Sequence, residues 1–267
     1  MSRIDKKFKE LKRQCKKAFI AYVTAGDPGL DVTKKIVLAL EDTGVDIVEI
    51  GIPFSDPLAD GPVIQAASSR ALQKKVTLKK IFAFVHDLRK TTDIPIAFMT
   101  YYNPVLRYGV KKFIKSCKYN EVDGVIIPDL PYEEALDLIQ CAKREKVATI
   151  FLAAPTSTIK RIKNIIKNSA GFIYYVSLTG VTGARRKLPP EVASNVRRIK
   201  SMTKKPVAVG FGISAPGQAR SIARIADGVI VGSAIVKIIA DNQKNNKMLI
   251  SKVSSFSKKM ARAIHDD

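Results

Sequence analysis

Eight short runs of β-branched and small apolar residues recur along this chain, separated by longer segments of helical period. The runs fall at Ala18–Thr24, Ile47–Gly51, Ile94–Met99, Gly124–Ile127, Ala148–Ala153, Phe172–Val176, Pro206–Gly210 and Gly228–Val231. Between them lie the helical stretches Leu30–Asp42, Thr77–Lys90, Gly109–Cys117, Glu133–Glu145, Ser157–Asn168, Glu191–Met202 and Ala215–Ile222, and Lys247–Ala263 closes the chain. Strand followed by helix makes successive strands parallel, and eight such units favour a closed barrel over an open doubly wound sheet. No G-x-G-x-x-G fingerprint marks the open alternative. The length of 267 residues suits one barrel of about 250 residues. The expected fold is therefore α/β, a single (β/α)8 TIM barrel spanning residues 1–267. Ile4, Phe8, Leu11 and Cys15 recur at helical spacing ahead of the first strand and predict an extra N-terminal helix laid against the body. No linker or low-complexity tract interrupts the chain, and the units share no obvious repeat beyond their pattern.

Composition narrows the functional classes. With 46% hydrophobic residues there is ample material for a core, so neither disorder nor a disulfide framework is implied. Three cysteines, Cys15, Cys117 and Cys141, form no C-x-x-C pair and offer neither a bridge pattern nor a metal cluster. No metal site is expected; His86 and His265 stand in helical segments with no spacing to cysteines or acids that would suggest a metal, as surface or packing residues. The first residues are charged but lack the continuous apolar stretch of a signal sequence, and no later run approaches the roughly 18 apolar residues of a membrane span. The expectation is a cytoplasmic protein with no membrane association. The formal charge is +22, yet its lysines are spread over most of the helical segments, as at Lys34 and Lys35, Lys79 and Lys80, Lys111 and Lys112, and Lys258 and Lys259. There is no base-reading motif or ladder of aromatics, so no nucleic-acid partner is expected. Solvated helix faces and some steering of a small phosphorylated substrate account for the same residues.

Catalytic groups of such barrels project from the C-terminal ends of strands and the loops that follow. Glu49 is there, the one charged residue of an apolar strand, where desolvation raises a carboxyl pKa and suits it to acid–base work near neutral pH. The bland alternative is a structural ion pair with a lysine or arginine. Eleven residues on, Asp60 lies in Ile52–Pro62, a long loop stiffened by prolines that also carries Asp56. Taken singly, Asp60 before Gly61-Pro62 is also a plausible helix cap. A second long loop, Ser177–Pro190, contains Gly180-Val181-Thr182-Gly183, fit to add backbone donors and to close over a ligand. The strands ending at Gly210 and Val231 run into GFGIS (210–214) and VGSAIV (231–236), each placing glycine and serine at the start of a helix. Free N–H groups and the positive dipole end there hold phosphate. No G-x-S-x-G elbow supports a hydrolase triad.

The motifs AYVTAGDP (21–28), VEIGIPFSDPLADGPVIQ (48–65), MTYYNPV (99–105), PDLPYEE (128–134), YYVSLTGVTGAR (174–185), GFGIS (210–214) and ADGVIVGSAIV (226–236) resemble, in order, those of the tryptophan synthase alpha family. The resemblance implies retro-aldol cleavage of indole-3-glycerol phosphate to indole and glyceraldehyde 3-phosphate. Glu49 would be the principal acid–base catalyst, and Asp60 would stabilise the protonated indole nitrogen. Tyr174 matches the active-site tyrosine, and Tyr22, Met99 and Ile126 match positions lining the indole pocket. Thr182 matches a closure residue that orients Asp60, and Gly183, Gly212, Gly232 and Ser233 match the phosphate binders. The family implies no cofactor in this subunit and a pyridoxal-phosphate beta partner, in an alpha2beta2 heterotetramer, that receives the indole. Pro53, Asp56, Asn103 and Pro131 would lie in segments facing that partner. A rival phosphate-binding barrel, such as indole-3-glycerol phosphate synthase, would lack the SDPLADGP segment. A second alternative is a subunit that mainly activates beta with little turnover of its own; intact Glu49 and Asp60 argue against it.

Overall fold

A computed structural model describes residues 2–176, 190–210 and 212–266. Its strands are β1 (Ala18–Thr24), β2 (Ile47–Gly51), β3 (Ile96–Met99), β4 (Gly124–Ile126), β5 (Ala148–Ile150), β6 (Leu152–Ala153), β7 (Ile173–Val176), β8 (Val207–Gly210) and β9 (Gly228–Val231). The helices before the chain's midpoint are α1 (Arg3–Arg13), α2 (Leu30–Asp42), α3 (Pro62–Gln73), α4 (Leu78–Leu88), α5 (Tyr102–Tyr108) and α6 (Val110–Tyr119). Then come α7 (Leu136–Glu145), α8 (Ile159–Asn168), α9 (Pro190–Ser201), α10 (Pro216–Ala223), α11 (Ser233–Asp241) and α12 (Asn246–His265).

All strand pairs are parallel, in the order β5-β4-β3-β2-β1-β9-β8-β7-β6. The two ends of that order are consecutive in sequence: the run read as one strand, Ala148–Ala153, is split at Phe151. The peptide N–H of Tyr174 donates to the Phe151 carbonyl at 3.2 Å, so the ring continues across the split. The expected barrel is thus present, nearly closed, and its eighth unit count survives the interruption.

Alternation along each strand separates two apolar layers. Ile20, Ile47, Ala97, Ile126, Ile150, Tyr174, Ala208 and Ile230 fill the barrel, while Phe19, Val48, Phe98, Val125, Tyr175, Val209 and Val229 pack outward under the helices. Helix α1 plugs the N-terminal end of the barrel with Ile4, Phe8 and Leu11, and Phe8 meets Phe172 with ring centroids 5.7 Å apart. Cys15, expected as the fourth member of that stripe, is not part of it. The helix stops at Arg13, and Cys15 is exposed with φ 57° in the turn that leads to β1.

One repeat escaped the sequence reading. Val45-Asp46, Val122-Asp123 and Ala226-Asp227 each precede a strand, and each aspartate reaches back to the preceding strand in the ring. Asp46 accepts from Phe19 N (2.8 Å), Asp123 from Ile96 N (2.9 Å) and Asp227 from Val207 N (3.0 Å). Each also meets a basic side chain at a helix C-terminus: Asp46 meets His265 of the chain's last helix at 2.9 Å, and Asp123 and Asp227 meet Arg89 at 2.8 Å and Lys200 at 2.7 Å, from the helices before β3 and β8. Each N–H lies at the start of a strand, the first residue in β3 and β8 and the second in β1, and the carboxylate that satisfies it ties helix, strand and next strand together. His265, read as a surface or packing residue, is one of these ties. His86 stacks on Tyr119, with ring centroids 6.0 Å apart.

Among the described residues no helix is long and apolar enough to cross a membrane.

Candidate active site

The C-terminal ends of β1, β2, β3, β4 and β7 point Tyr22, Glu49, Met99, Ile126 and Tyr174 into the same end of the barrel. Register fixes two of these contacts, since Tyr22 pairs with Glu49 and Glu49 with Ala97. Room for the aromatic side chains comes from glycine: a Cβ on Gly51 would stand 2.0 Å from the Tyr22 hydroxyl. Helix α3 closes one side, where Val63, Ile64 and Ala67 pack with Tyr22, Met99 and Val236. Ile64 and Ala67 were not singled out from sequence, because a helix starting Pro-Val-Ile-Gln-Ala-Ala buries mostly small residues and shows only a faint apolar stripe.

Glu49 is 0% exposed, and neither carboxylate oxygen has a hydrogen-bond partner among the described residues. Among the described residues, Glu49 therefore has no structural ion pair of the kind considered as its bland alternative. Burial alone pushes its pKa from 4.5 to about 8, because an unpaired carboxylate in an apolar wall is stable chiefly as the neutral acid. Such a group is protonated at neutral pH yet close enough to its midpoint to give up and regain a proton.

Asp60 stands half-buried in the loop that follows β2. Burial pushes its pKa from 3.8 up to about 6, and a hydrogen bond from the Tyr101 hydroxyl acts in the opposite sense. It is not the cap of α3. Gly61 occupies that position, with Pro62 leading the helix, and the Asp60 carbonyl accepts from Gln65 Nε2 at 2.8 Å. That leaves the carboxylate free of a capping duty. Burial, with Asp60 and Glu49 nearby, raises the pKa of the Tyr22 hydroxyl far above its ordinary value. The Tyr174 hydroxyl is raised by burial and by Glu49, Tyr22 and Asp60. The two acids thus share one chamber with two neutral phenols. Tyr101, which touches Asp60, was missed, since nothing in local sequence connects it to a loop some forty residues earlier.

The two expected phosphate turns differ. At α10 the Gln218 side chain accepts from Ser214 N (2.9 Å) and Ala215 N (3.1 Å), so that helix start is largely satisfied from within. At α11 the cap is Gly232, which provides no side-chain acceptor, so the first-turn amides beginning at Ser233 are the better anion donors. Gly212 has φ +59°, a left-handed conformation that glycine adopts without strain, and a Cβ there would meet nothing within 4 Å. Thr182 and Gly183, with Gly180, lie outside the described residues.

Of the residues expected to face a partner, Asp56 and Asn103 are exposed and Pro131 is half-buried, whereas Pro53 is buried. On the same rim Leu58 is 93% exposed, and Leu106, Leu136 and Ile159 are exposed as well. Leu58 lies in the connection after β2, Leu106 within α5, and Leu136 and Ile159 at the starts of α7 and α8, and exposed large apolar side chains of this kind are what protein interfaces cover.

A parallel ring of strands with two desolvated acids at its C-terminal mouth and a free helix start beside them defines a TIM-barrel enzyme built for acid–base chemistry. Comparison with known proteins gives the family. Residues 8–265 match the family model for the tryptophan synthase alpha chain. The chain is 50% identical over 249 residues to the tryptophan synthase alpha chain of Caldanaerobacter subterraneus, covering 93% of this chain and 95% of that one. It is 48% identical to that of a Thermoanaerobacter species, covering 96% and 97%. Tryptophan synthase subunit alpha from Legionella pneumophila superposes with a TM-score of 0.92 at 36% identity, covering 99% of this chain and 98% of that one. A chain from the tryptophan synthase complex of Pyrococcus furiosus superposes with a TM-score of 0.85 at 37% identity, covering 92% and 98%. The chain belongs to the tryptophan synthase alpha chain family and is a lyase of tryptophan biosynthesis.

Proposed function

We propose that Glu49 and Asp60 together carry out the retro-aldol cleavage of indole-3-glycerol phosphate within one barrel domain formed by residues 1–267. The observation that carries this reading is the completely buried, unpartnered Glu49 carboxyl, with a pKa of about 8. As the neutral acid, Glu49 delivers its proton to the indole carbon that bears the glycerol chain, leaving a positive charge on the ring nitrogen. Asp60, more acidic and ionised near neutrality, stabilises that charge. The resulting Glu49 carboxylate then takes the proton of the adjacent glycerol hydroxyl. The carbon–carbon bond breaks, its electron pair restores the indole ring, and the hydroxyl carbon leaves as the aldehyde of glyceraldehyde 3-phosphate. One group serves first as acid and then as base, which a pKa near neutrality permits.

Tyr22, Met99, Ile126 and Tyr174 form the apolar walls for the indole ring. The first turn of α11 at Gly232 and Ser233, with Gly212 and Gly183, binds the phosphate, and Thr182 closes over the substrate. The chain needs no cofactor of its own for this chemistry. The apolar rim around Leu58, Leu106 and Leu136, flanked by Asp56, Asn103 and Pro131, docks a pyridoxal-phosphate beta subunit in an alpha2beta2 assembly that takes up the indole. The assembly works in the cytoplasm.

Cleavage run in deuterated water tests the acid step. Indole released by the chain is expected to carry one deuterium at C3, the carbon that was protonated; indole released without label there would refute delivery of a solvent-exchangeable proton by Glu49.

A further inference from the structure

The loop that carries Asp60 has no regular secondary structure between β2 and α3, so something other than a ladder must fix the carboxylate. Much of that duty falls on one side chain from the next connection. Tyr101 directly precedes α5 and is 6% exposed. Its ring packs on Phe54 near the start of the Asp60 loop, with centroids 5.4 Å apart. Its hydroxyl accepts a hydrogen bond from Ala59 N at 3.0 Å and donates to the Asp60 carboxylate. A phenol has one proton and two lone pairs, so it can do both at once, and accepting from a peptide N–H strengthens its own donation. The neighbouring Tyr102 N–H donates to both carboxylate oxygens of Asp129, at 2.9 and 3.1 Å. Three successive connections are thereby linked, from Asp60 through Tyr101 and Tyr102 to the Asp129–Pro131 segment.

We propose that Tyr101 is a positioning residue for Asp60, its hydroxyl holding the carboxylate toward the indole pocket and transmitting to it the arrangement of the rim segments that contain Asn103 and Pro131. The inference rests on the role given to Asp60 above. The groups facing this site are Tyr22 from β1, Glu49 from β2, Tyr174 from β7 and Asp129 from the connection after β4. None of the groups acting on Asp60 or Glu49 among the described residues is a lysine or arginine. Among the described residues, the Tyr101 proton is the interaction that favours ionised Asp60 against burial.

The test compares the full chain with its Tyr101→Phe variant, using Tyr119→Phe as a control because Tyr119 is 76% exposed on the outer surface. kcat/KM for indole-3-glycerol phosphate is measured from pH 5 to 9, with melting temperatures in parallel. In the unaltered chain the lower break is expected near pH 6, where Asp60 ionises, and the upper near pH 8, where Glu49 does. In Tyr101→Phe the lower break moves upward by about one pH unit, so kcat/KM at pH 6 falls about fivefold more than at pH 8.5. The control keeps both breaks. A loss that is uniform across pH, or no loss, would overturn the proposal, because a merely structural role does not move a titration. The carbon-13 resonance of the Asp60 carboxyl, assigned with Asp60→Asn, reads the same midpoint without turnover. An unmoved midpoint in Tyr101→Phe overturns the inference even if the chain proves inactive, whereas inactivity of the unaltered chain with a moved midpoint overturns only the catalytic reading.

Discussion

Replacing Glu49 by glutamine removes an ionisable group that burial holds as the neutral acid at pH values where it would be ionised in water. The folded pKa lies at about 8 against 4.5 for the free side chain. A carboxyl whose pKa is raised on folding favours the folded state below the unfolded value and loses that advantage as pH rises toward the folded value. The cost is small at pH 5, is about 3 kcal/mol at pH 7, and levels off at about 5 kcal/mol above pH 8, taking about 1.4 kcal/mol per pH unit. Glutamine has no such dependence, but it brings a buried amide with no partner, a roughly constant penalty of about 1–3 kcal/mol. The absolute stability of Glu49→Gln at one pH is therefore uninformative, whereas its difference from the unaltered chain is not. That difference should move in favour of the variant by about 4 kcal/mol between pH 5 and pH 9. Urea unfolding of both proteins at several pH values measures it. A difference constant to within about 1 kcal/mol over that range would refute the claim that Glu49 is buried without a compensating charge.

Gly232→Val places a branched side chain over the α11 amides, and its Cβ would already stand 3.4 Å from Tyr22; affinity for glyceraldehyde 3-phosphate by calorimetry should weaken by at least about tenfold with the fold retained. The three aspartate ties should differ in strength with their burial. Asp123, at 5% side-chain exposure and paired with Arg89 at 6%, should cost about 3 kcal/mol when replaced by alanine, against about 1 kcal/mol for the more exposed Asp227, as read by urea midpoints.

Most of the barrel was legible because period and length carry the same message: β1, β2, β9 and α2 run between the residues expected, and the other expected elements differ by one to three residues at their ends. The misses have physical causes. Helix α3 buries Ala67, Ser68 and Ala71, side chains too small to write an apolar stripe, and α5 spans seven residues with only Val105 buried. Cys15 has the right spacing but follows Arg13, where the chain turns left-handed to reach β1. The split at Phe151 leaves the in-and-out alternation intact, so no sequence pattern betrays it. At the site, an acid alone in an apolar strand announced Glu49, but its lack of any partner depends on what the other strands bring to the barrel mouth. Asp60 was legible only beside Glu49. Tyr101 was not legible at all, because its duty depends on two connections meeting across the mouth, and the Asp46, Asp123 and Asp227 ties went unnoticed because the shared unit is two residues long.

The most direct test is indole release from indole-3-glycerol phosphate by the purified chain, alone and with a beta subunit from the same source, alongside Glu49→Gln. The account predicts indole and glyceraldehyde 3-phosphate in equal amounts, faster turnover when beta is added, and none from the variant in either mixture. No indole from the unaltered chain in either mixture, or undiminished release by Glu49→Gln, would contradict it.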